Sequence, residues 1–447
     1  MLIEFNVENF LSFKDLTTLS MVEVKSFKEH KASHIIIDTG SNLNLLKSAI
    51  IFGNNASGKS NFLEALDFMK MTVLNSFRDA LLGNNEKAFP LEKFALNSKT
   101  GKETSFFEIA FIQKGVKYRY GFELDFDKVV AEWLYHTTSK EVYLFKRDQQ
   151  DIEINKSAFK EGLGKKEDVK ENVLFLSFLA YHQKSEISNS IVQWFINLKF
   201  INGILDRGHK RYTIDKLKSD KHFFNWVLHF IKYLEIVNLS TTEEDVNDID
   251  FETLKEKQKD EEIVNLLTSM QKIQSKQPKR DQLITYHRIY DENNVLIDTV
   301  PFNFDKQESE GTKKLLYLLG PWYDALRNGK VLIIDELDSR LHSHLTLRLI
   351  DFFHQFNSST AQLICAVHDT SLLNKAIFRR DQIWFVEKNQ FGASELFSLA
   401  DFKTDKVRNN SAFYKNYLEG KYGAIPYFDF NEKLNELLYE KREAEQI

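Results

Sequence analysis

The chain has 447 residues, of which 43% are apolar and 28% charged, with a formal net charge of -5. That balance excludes wholesale disorder, and the length predicts two or three structural units at about 100–200 residues each. A single cysteine, Cys365, excludes a disulfide framework and fits a reducing compartment.

The opening MLIEFNVENF carries Glu4 and Glu8 where a secretion signal would be basic and then apolar. The longest apolar runs, such as Val173–Tyr181, fall far short of the roughly 20 residues that cross a bilayer. A soluble, cytoplasmic protein with no membrane contact is expected. The net charge speaks neither for nor against nucleic acid, because local patches decide that.

In chain order, Leu2, Phe5, Val7 and Phe10 alternate loosely as a strand would, and Leu45–Phe52 is a compact apolar run that stops at Gly53. Helical spacing follows over Asn61–Leu74. From Ser105 to Arg147 the period becomes two, with Lys114-Gly115 as a turn, which predicts an antiparallel β-layer. From about residue 160 to 280 the stretches VLFLSFLAYH, SIVQWFINLKF and HFFNWVLHFIKYLEIV predict a helical block. The acidic stretch Glu243–Glu262 reads as a loop. Strands return near Leu283–Tyr290 and Val295–Phe304. Helix and strand then alternate over Lys313–Arg327, Val331–Asp335, Leu345–Phe356, Gln362–Val367 and Ile383–Glu387, the pattern of a parallel sheet with crossover helices.

Gly53-Asn54-Asn55-Ala56-Ser57-Gly58-Lys59-Ser60 fits G-x-x-x-x-G-K-[ST] between a strand and a helix. Glycines let such a loop curl so that its N–H groups point at phosphate oxygens, aided by the positive end of the following helix. Lys59 is placed for the β and γ phosphates of ATP, and the Ser60 hydroxyl for Mg²⁺. Val331-Leu332-Ile333-Ile334-Asp335-Glu336 is a buried strand ending in two carboxylates. It delivers Asp335 to the metal and sets Glu336 one residue further on, beside the attacking water.

Three further elements resemble those of an ABC-type ATPase head. Ser309-Glu310-Gly311-Thr312 at a helix start is similar to the signature, Leu337-Asp338 to the D-loop, and His368 at a strand end to the switch histidine. The resemblance implies that Ser309 and Gly311 bind the γ-phosphate held by a second subunit and that His368 senses it. The order of these elements is that of SMC, RecF and OLD heads, with the loop in an N-terminal lobe and the remainder in a C-terminal lobe. Gln113 is a candidate for the Q-loop by its strand context. The strings VENFLSFKD, NNASGKSNFLEAL, ESEGTKKLLYL, VLIIDELDSRLHSHL, AVHDTSLL, RRDQIWFVEKN and YLEGKYGAIPYF further resemble the bacterial AbiLi/RloA-type ATPases. That family implies phage defence or abortive infection beside a separately encoded toxic effector.

The expected architecture is therefore α/β, a two-lobed ABC-type P-loop head with an antiparallel β-layer and an inserted helical subdomain. Its parts are 1–158, 159–280 and 281–447. Homodimers or higher even oligomers closing over ATP follow from the resemblance. A RecF- or SMC-like role in DNA maintenance is the alternative. A nuclease is disfavoured: about 80 residues follow His368, too few for the Toprim domain of OLD proteins, and Arg348 with His354 falls inside the ATPase lobe. Asp381 beside Arg379-Arg380 reads as structural. Lys272–Arg280 and His209-Lys210-Arg211 are the basic clusters where nucleic acid would bind, if it binds.

Overall fold

A computed structural model of the chain describes residues 1–37, 43–82, 88–181, 185–202, 207–244, 263–264, 267–268, 280–402 and 413–423. The acidic residues 245–262, the basic residues 272–279 and the tail beyond 423 lie outside these.

Ahead of the glycine-rich loop come β1 (Leu2–Glu8), β2 (Thr17–Ser20), the single turn α1 (Lys31–His34), β3 (Ile35–Ile37), β4 (Asn44–Leu46) and β5 (Ser48–Gly53). The loop feeds α2 (Lys59–Leu82). Then follow β6 (Ser105–Gln113), β7 (Val116–Leu124), β8 (Val129–Thr137), β9 (Glu141–Asp148) and β10 (Asp151–Ile154). The middle of the chain forms α3 (Phe175–Ala180), α4 (Glu186–Ile196), β11 (Leu198–Asn202), α5 (Arg207–Ser219), α6 (Lys221–Ile231) and β12 (Ile236–Glu244). After β13 (Arg280–Tyr290) and β14 (Leu296–Asn303) come the short α7 (Phe304–Gln307), α8 (Glu310–Asn328), β15 (Val331–Asp335) and α9 (Ser343–Phe356). The last elements are β16 (Gln362–Ala366), β17 (Ile383–Lys388), β18 (Ser394–Ser398) and α10 (Phe413–Leu418).

Two large sheets result. One is antiparallel and seven-stranded, in the order β10-β9-β8-β7-β6-β1-β2; the other runs β11-β15-β16-β5-β17-β18 and is parallel except at β18. Period two sorts β5: Ala49 and Ile51 join α2 and the antiparallel sheet in one core, with Phe62, Leu66, Phe5 and Phe107. Ile50 and Phe52 turn to the other face and pack with Leu315, Trp322, Ile350 and Phe353 of α8 and α9. A buried central strand with both faces covered is what an uninterrupted apolar run demands. The fold is thus mixed α/β, with α2 held between an antiparallel layer and a parallel sheet.

The stretch expected to be helical differs in two places. SIVQWFINLKF ends its helix at Ile196, and Leu198–Asn202 becomes β11, paired in parallel with β15. HFFNWVLHFIKYLEIV likewise leaves its helix at Ile231 and enters β12, which pairs with β13 across residue 280. Short apolar runs satisfy either period, and here pairing with a distant strand decides. A third core, with Ile214, Phe223, Val227, Leu283, Phe304 and Leu316, joins α5, α6 and α8 to the three-stranded sheet β12-β13-β14.

At the amino-terminal end of the parallel sheet the His34 ring lies between His30 and His354, 3.7 Å from the latter. A relay of bonds fixes the rings: His34 Nδ1 donates to Gln382 Oε1 (2.7 Å), Gln382 Nε2 to Ser48 Oγ (2.9 Å), and Ser48 Oγ to His354 Nε2 (2.8 Å). Burial, with Lys47 and Arg379 close by, lowers His34 from 6.5 to about 4 and pushes His354 well down. Both rings are neutral when folded, so the unfolded chain binds more protons between those values. Stability should accordingly fall as pH drops from 6.5 towards 4. The loss for His34 alone is on the order of 3 kcal/mol. Urea unfolding across that range checks it, and His34→Gln should flatten much of the slope.

Candidate functional site

The loop 53–60 leaves β5 where its ladder ends, Gly53 pairing with Val386 of β17. Gly58 adopts φ +115°, and a Cβ there would run into the hydroxyls of Ser394 and Ser12, so only glycine fits. Those two serines brace the loop. Ser394 Oγ lies 2.6 Å from the Ser57 carbonyl and 2.8 Å from Ser12 Oγ, while Asn61 Nδ2 donates to Ser12 Oγ at 2.9 Å. Nothing in the sequence motif points to Ser12 or Ser394, which stand 45 residues before and 337 after Ser57.

Lys59 opens α2 and is 4% exposed. Its ammonium donates to the Gly53 and Asn54 carbonyls (2.7 and 2.9 Å) and faces His368 Nδ1 at 3.4 Å. Burial lowers its pKa, opposed by the carboxylates of Asp335, Asp338 and Glu336. Those acids all come from the end of β15 and its turn, and the parallel order β15-β16-β5 brings them to the loop that carries Lys59. Asp335 ends β15, and its Oδ1 is buried without a hydrogen-bond partner among the described residues. Glu336 takes a left-handed conformation, φ +50°, and its Oε1 lies 3.8 Å from His368 Nε2. Asp338 Oδ2 accepts from the backbone N–H groups of His368 and Asp369 (2.8 and 2.6 Å), tying the turn after β15 to the end of β16.

The result is one cleft of about 670 Å³ lined by residues 54–61, Glu336, His368 and Lys388. An orphaned carboxylate oxygen at a strand end and the exposed Ser60 hydroxyl at the helix start are hard oxygen donors, a set that fits Mg²⁺.

Ser309 and Gly311 do not line that cleft. Ser309 is exposed and caps α8, accepting from the Thr312 N–H at 3.1 Å. Gly311 is needed for close approach, since a Cβ would sit 2.9 Å from the Arg340 carbonyl. Gln113 is a correction. It ends β6 and donates to the Ser190 carbonyl (3.2 Å) in a separate cleft that Val331 also lines. Val331 begins β15 and Asp335 ends it, so Gln113 stands at the wrong end of the sheet for a metal contact. His354 is fully buried against His34, and Asp381 pairs with Arg379 at 2.8 Å, both within the framework. Lys210 of the basic triplet is paired with Asp305 at 2.6 Å.

Residues 48–374 match the family described as "AAA domain, putative AbiEii toxin, Type IV TA system". The chain belongs to this family. The matched span takes in the glycine-rich loop, Ser309, Asp335, Glu336 and His368, and membership of the AAA-domain family makes the chain a nucleotide-binding protein of the ATPase kind. No curated protein matches the sequence. Solved structures similar to this AAA-domain chain include an SMC head domain from Thermotoga maritima, at 13% identity and a TM-score of 0.37, covering 89% of this chain and 98% of that one. Another is an SMC head bound to the C-winged helix domain of ScpA, at 12% identity and a TM-score of 0.39, covering 91% and 99%. Among the described residues no helix is long and apolar enough to cross a membrane.

A further residue beside the site carries no sequence signature. Lys314, fully buried in α8, donates to the carbonyls of Glu336 and Ser339 (both 2.7 Å) and to Ser339 Oγ (2.6 Å). A buried lysine on an amphipathic helix reads as surface charge from sequence. Lys314→Met keeps the volume and strips the donors, so it should destabilise the chain by about 2–4 kcal/mol, as chemical denaturation would measure.

Proposed function

We propose that this chain hydrolyses ATP as a nucleotide-gated switch, its heads closing in pairs over the nucleotide. The observation that carries the reading is the convergence of Lys59, Glu336 and His368 on one cleft, with Asp335 at the strand end that leads into it, while Ser309 and Gly311 stand outside at an exposed helix start. Loop residues Gly53, Asn54, Asn55, Ala56, Ser57 and Gly58 wrap the phosphates, and Lys59 exchanges the Gly53 and Asn54 carbonyls for phosphate oxygens. Ser60 and Asp335 would hold Mg²⁺, which would neutralise phosphate charge.

Glu336 orients and deprotonates the attacking water, and His368, already beside both Lys59 and Glu336, faces the γ-phosphate. Ser309 and Gly311 of a second copy complete the site from the open side. Catalysis is positioning and electrostatics, with little covalent work for the protein.

The biological reading is a cytoplasmic antiphage sensor that controls a separate toxic effector. Its support is the family's own description, which names a toxin of a toxin–antitoxin system. That wording sharpens the question of whether toxicity resides in this chain or in a partner.

Glu336→Gln should keep ATP binding, lose roughly 100-fold or more in hydrolysis, and accumulate as a dimer on sizing with ATP. Unchanged turnover would overturn the general-base role. Lys59→Ala should abolish productive binding, and Ser309→Arg should lower turnover only if the site is shared between copies. Mass spectrometry of the Glu336→Gln chain purified from its host with ATP tests the biology. A stoichiometric small protein supports the switch. Recovery with DNA alone favours the maintenance role.

A further inference from the structure

We propose that Lys388 is a nucleotide-binding residue that holds the α-phosphate, from the side of the cleft opposite His368. The inference rests on the nucleotide reading above and adds to it the polarity of the bound phosphate chain.

Strand order sets that polarity. β5 is flanked by β16 on one side and by β17 on the other. Glu336, Asp335 and His368 all issue from β15 and β16, so the end of the cleft that receives the γ-phosphate lies on that flank. A triphosphate cradled by residues 53–60 must then run its α-phosphate and nucleoside towards the other flank, the end of β17. Lys388 is the last residue of β17 and lines the same cleft as Lys59.

The direction of its side chain follows from the pleat. Trp384 and Val386 belong to the core that packs on α2, whereas Phe385 belongs to the core on the other face. Lys388, two residues beyond Val386, shares the α2 face. Its cross-strand partner is Ser394, whose hydroxyl reaches the Ser57 carbonyl at 2.6 Å, so this face of the hairpin abuts the phosphate loop. Among the described residues the Lys388 ammonium has no ion pair or side-chain hydrogen bond, and the side chain is exposed. An unengaged ammonium on a long flexible stem beside a ring of backbone N–H donors suits a phosphate as a point charge.

The α-phosphate, unlike the γ-phosphate, is common to ATP and ADP, so titration calorimetry of each nucleotide with Mg²⁺ tells the two ends of the phosphate chain apart. Lys388→Ala should weaken ATP and ADP by the same factor, about tenfold for a charged hydrogen bond lost at a half-open site. Lys388→Arg should restore most of the affinity, and Lys388→Glu should weaken both further. Because the side chain is exposed, these variants should unfold at the wild-type temperature.

Unchanged affinities in Lys388→Ala, with the wild type binding normally, would overturn the contact and leave the nucleotide reading intact. A loss confined to ATP would place the ammonium at the γ end and overturn the proposed polarity. A wild-type chain that binds neither nucleotide would overturn the nucleotide reading itself, and the contact with it.

Discussion

The parallel register of β5, β16 and β15 governs what the cleft can hold. Ala366 pairs with Ile51 and Cys365 with Ile334, so three strands stop along one edge and release the phosphate loop, His368 and Asp335 side by side. Two backbone bonds continue the alignment past the strand ends, Val367 N–H to the Ile51 carbonyl (3.0 Å) and Leu337 N–H to the Ala366 carbonyl (3.1 Å). A slip of one residue would turn Ile50 and Ile51 to the wrong cores and carry the acid away from the ammonium. Packing on both faces of the sheet thus fixes the chemistry at its edge.

Within that frame the charges are held unevenly. Lys59 is buried by its own loop, and three carboxylates offset part of the desolvation. Among the described residues Asp335 Oδ1 and Asp338 Oδ1 are both buried without a hydrogen-bond partner, but Asp338 also spends its Oδ2 on two backbone N–H groups. The two acids of one turn therefore differ in role: one is a strut that binds neighbouring strand ends together, and the other remains available. Lys314 reinforces the strut from beneath by gripping the carbonyls that the left-handed turn at Glu336 exposes.

Local chemistry was legible in the sequence, and distant pairing was not. The loop 53–60 and Asp335-Glu336 stand out as motifs whose residue types and spacings are those that phosphate and metal binding require. The antiparallel layer of β6 to β9 was readable from its period. Leu198–Asn202 was not, since five half-apolar residues fit a helix as well as an edge strand until β15 is there to pair. Gln113 failed for a related reason: its strand is real, but sequence does not say which end of which sheet a strand end meets. Ser12, Ser394 and Lys314 carry no motif at all, and their importance arises only from contacts made across the chain.

The position of β5 has a further consequence, for the birth of the protein. Its two neighbours, β16 and β17, follow it by about three hundred residues, so Ala49–Phe52 acquires no partner in its sheet until most of the chain has been translated. At about 5–20 residues per second that wait is roughly 15–60 s. Through that interval a bare apolar strand with both edges open is on offer to any other exposed strand. The antiparallel layer, whose strands mostly pair with their immediate successors, closes far sooner and with less loop entropy to overcome. Assembly on the ribosome should therefore run in two stages, the nucleotide edge last, with chaperones needed most by the half-made chain.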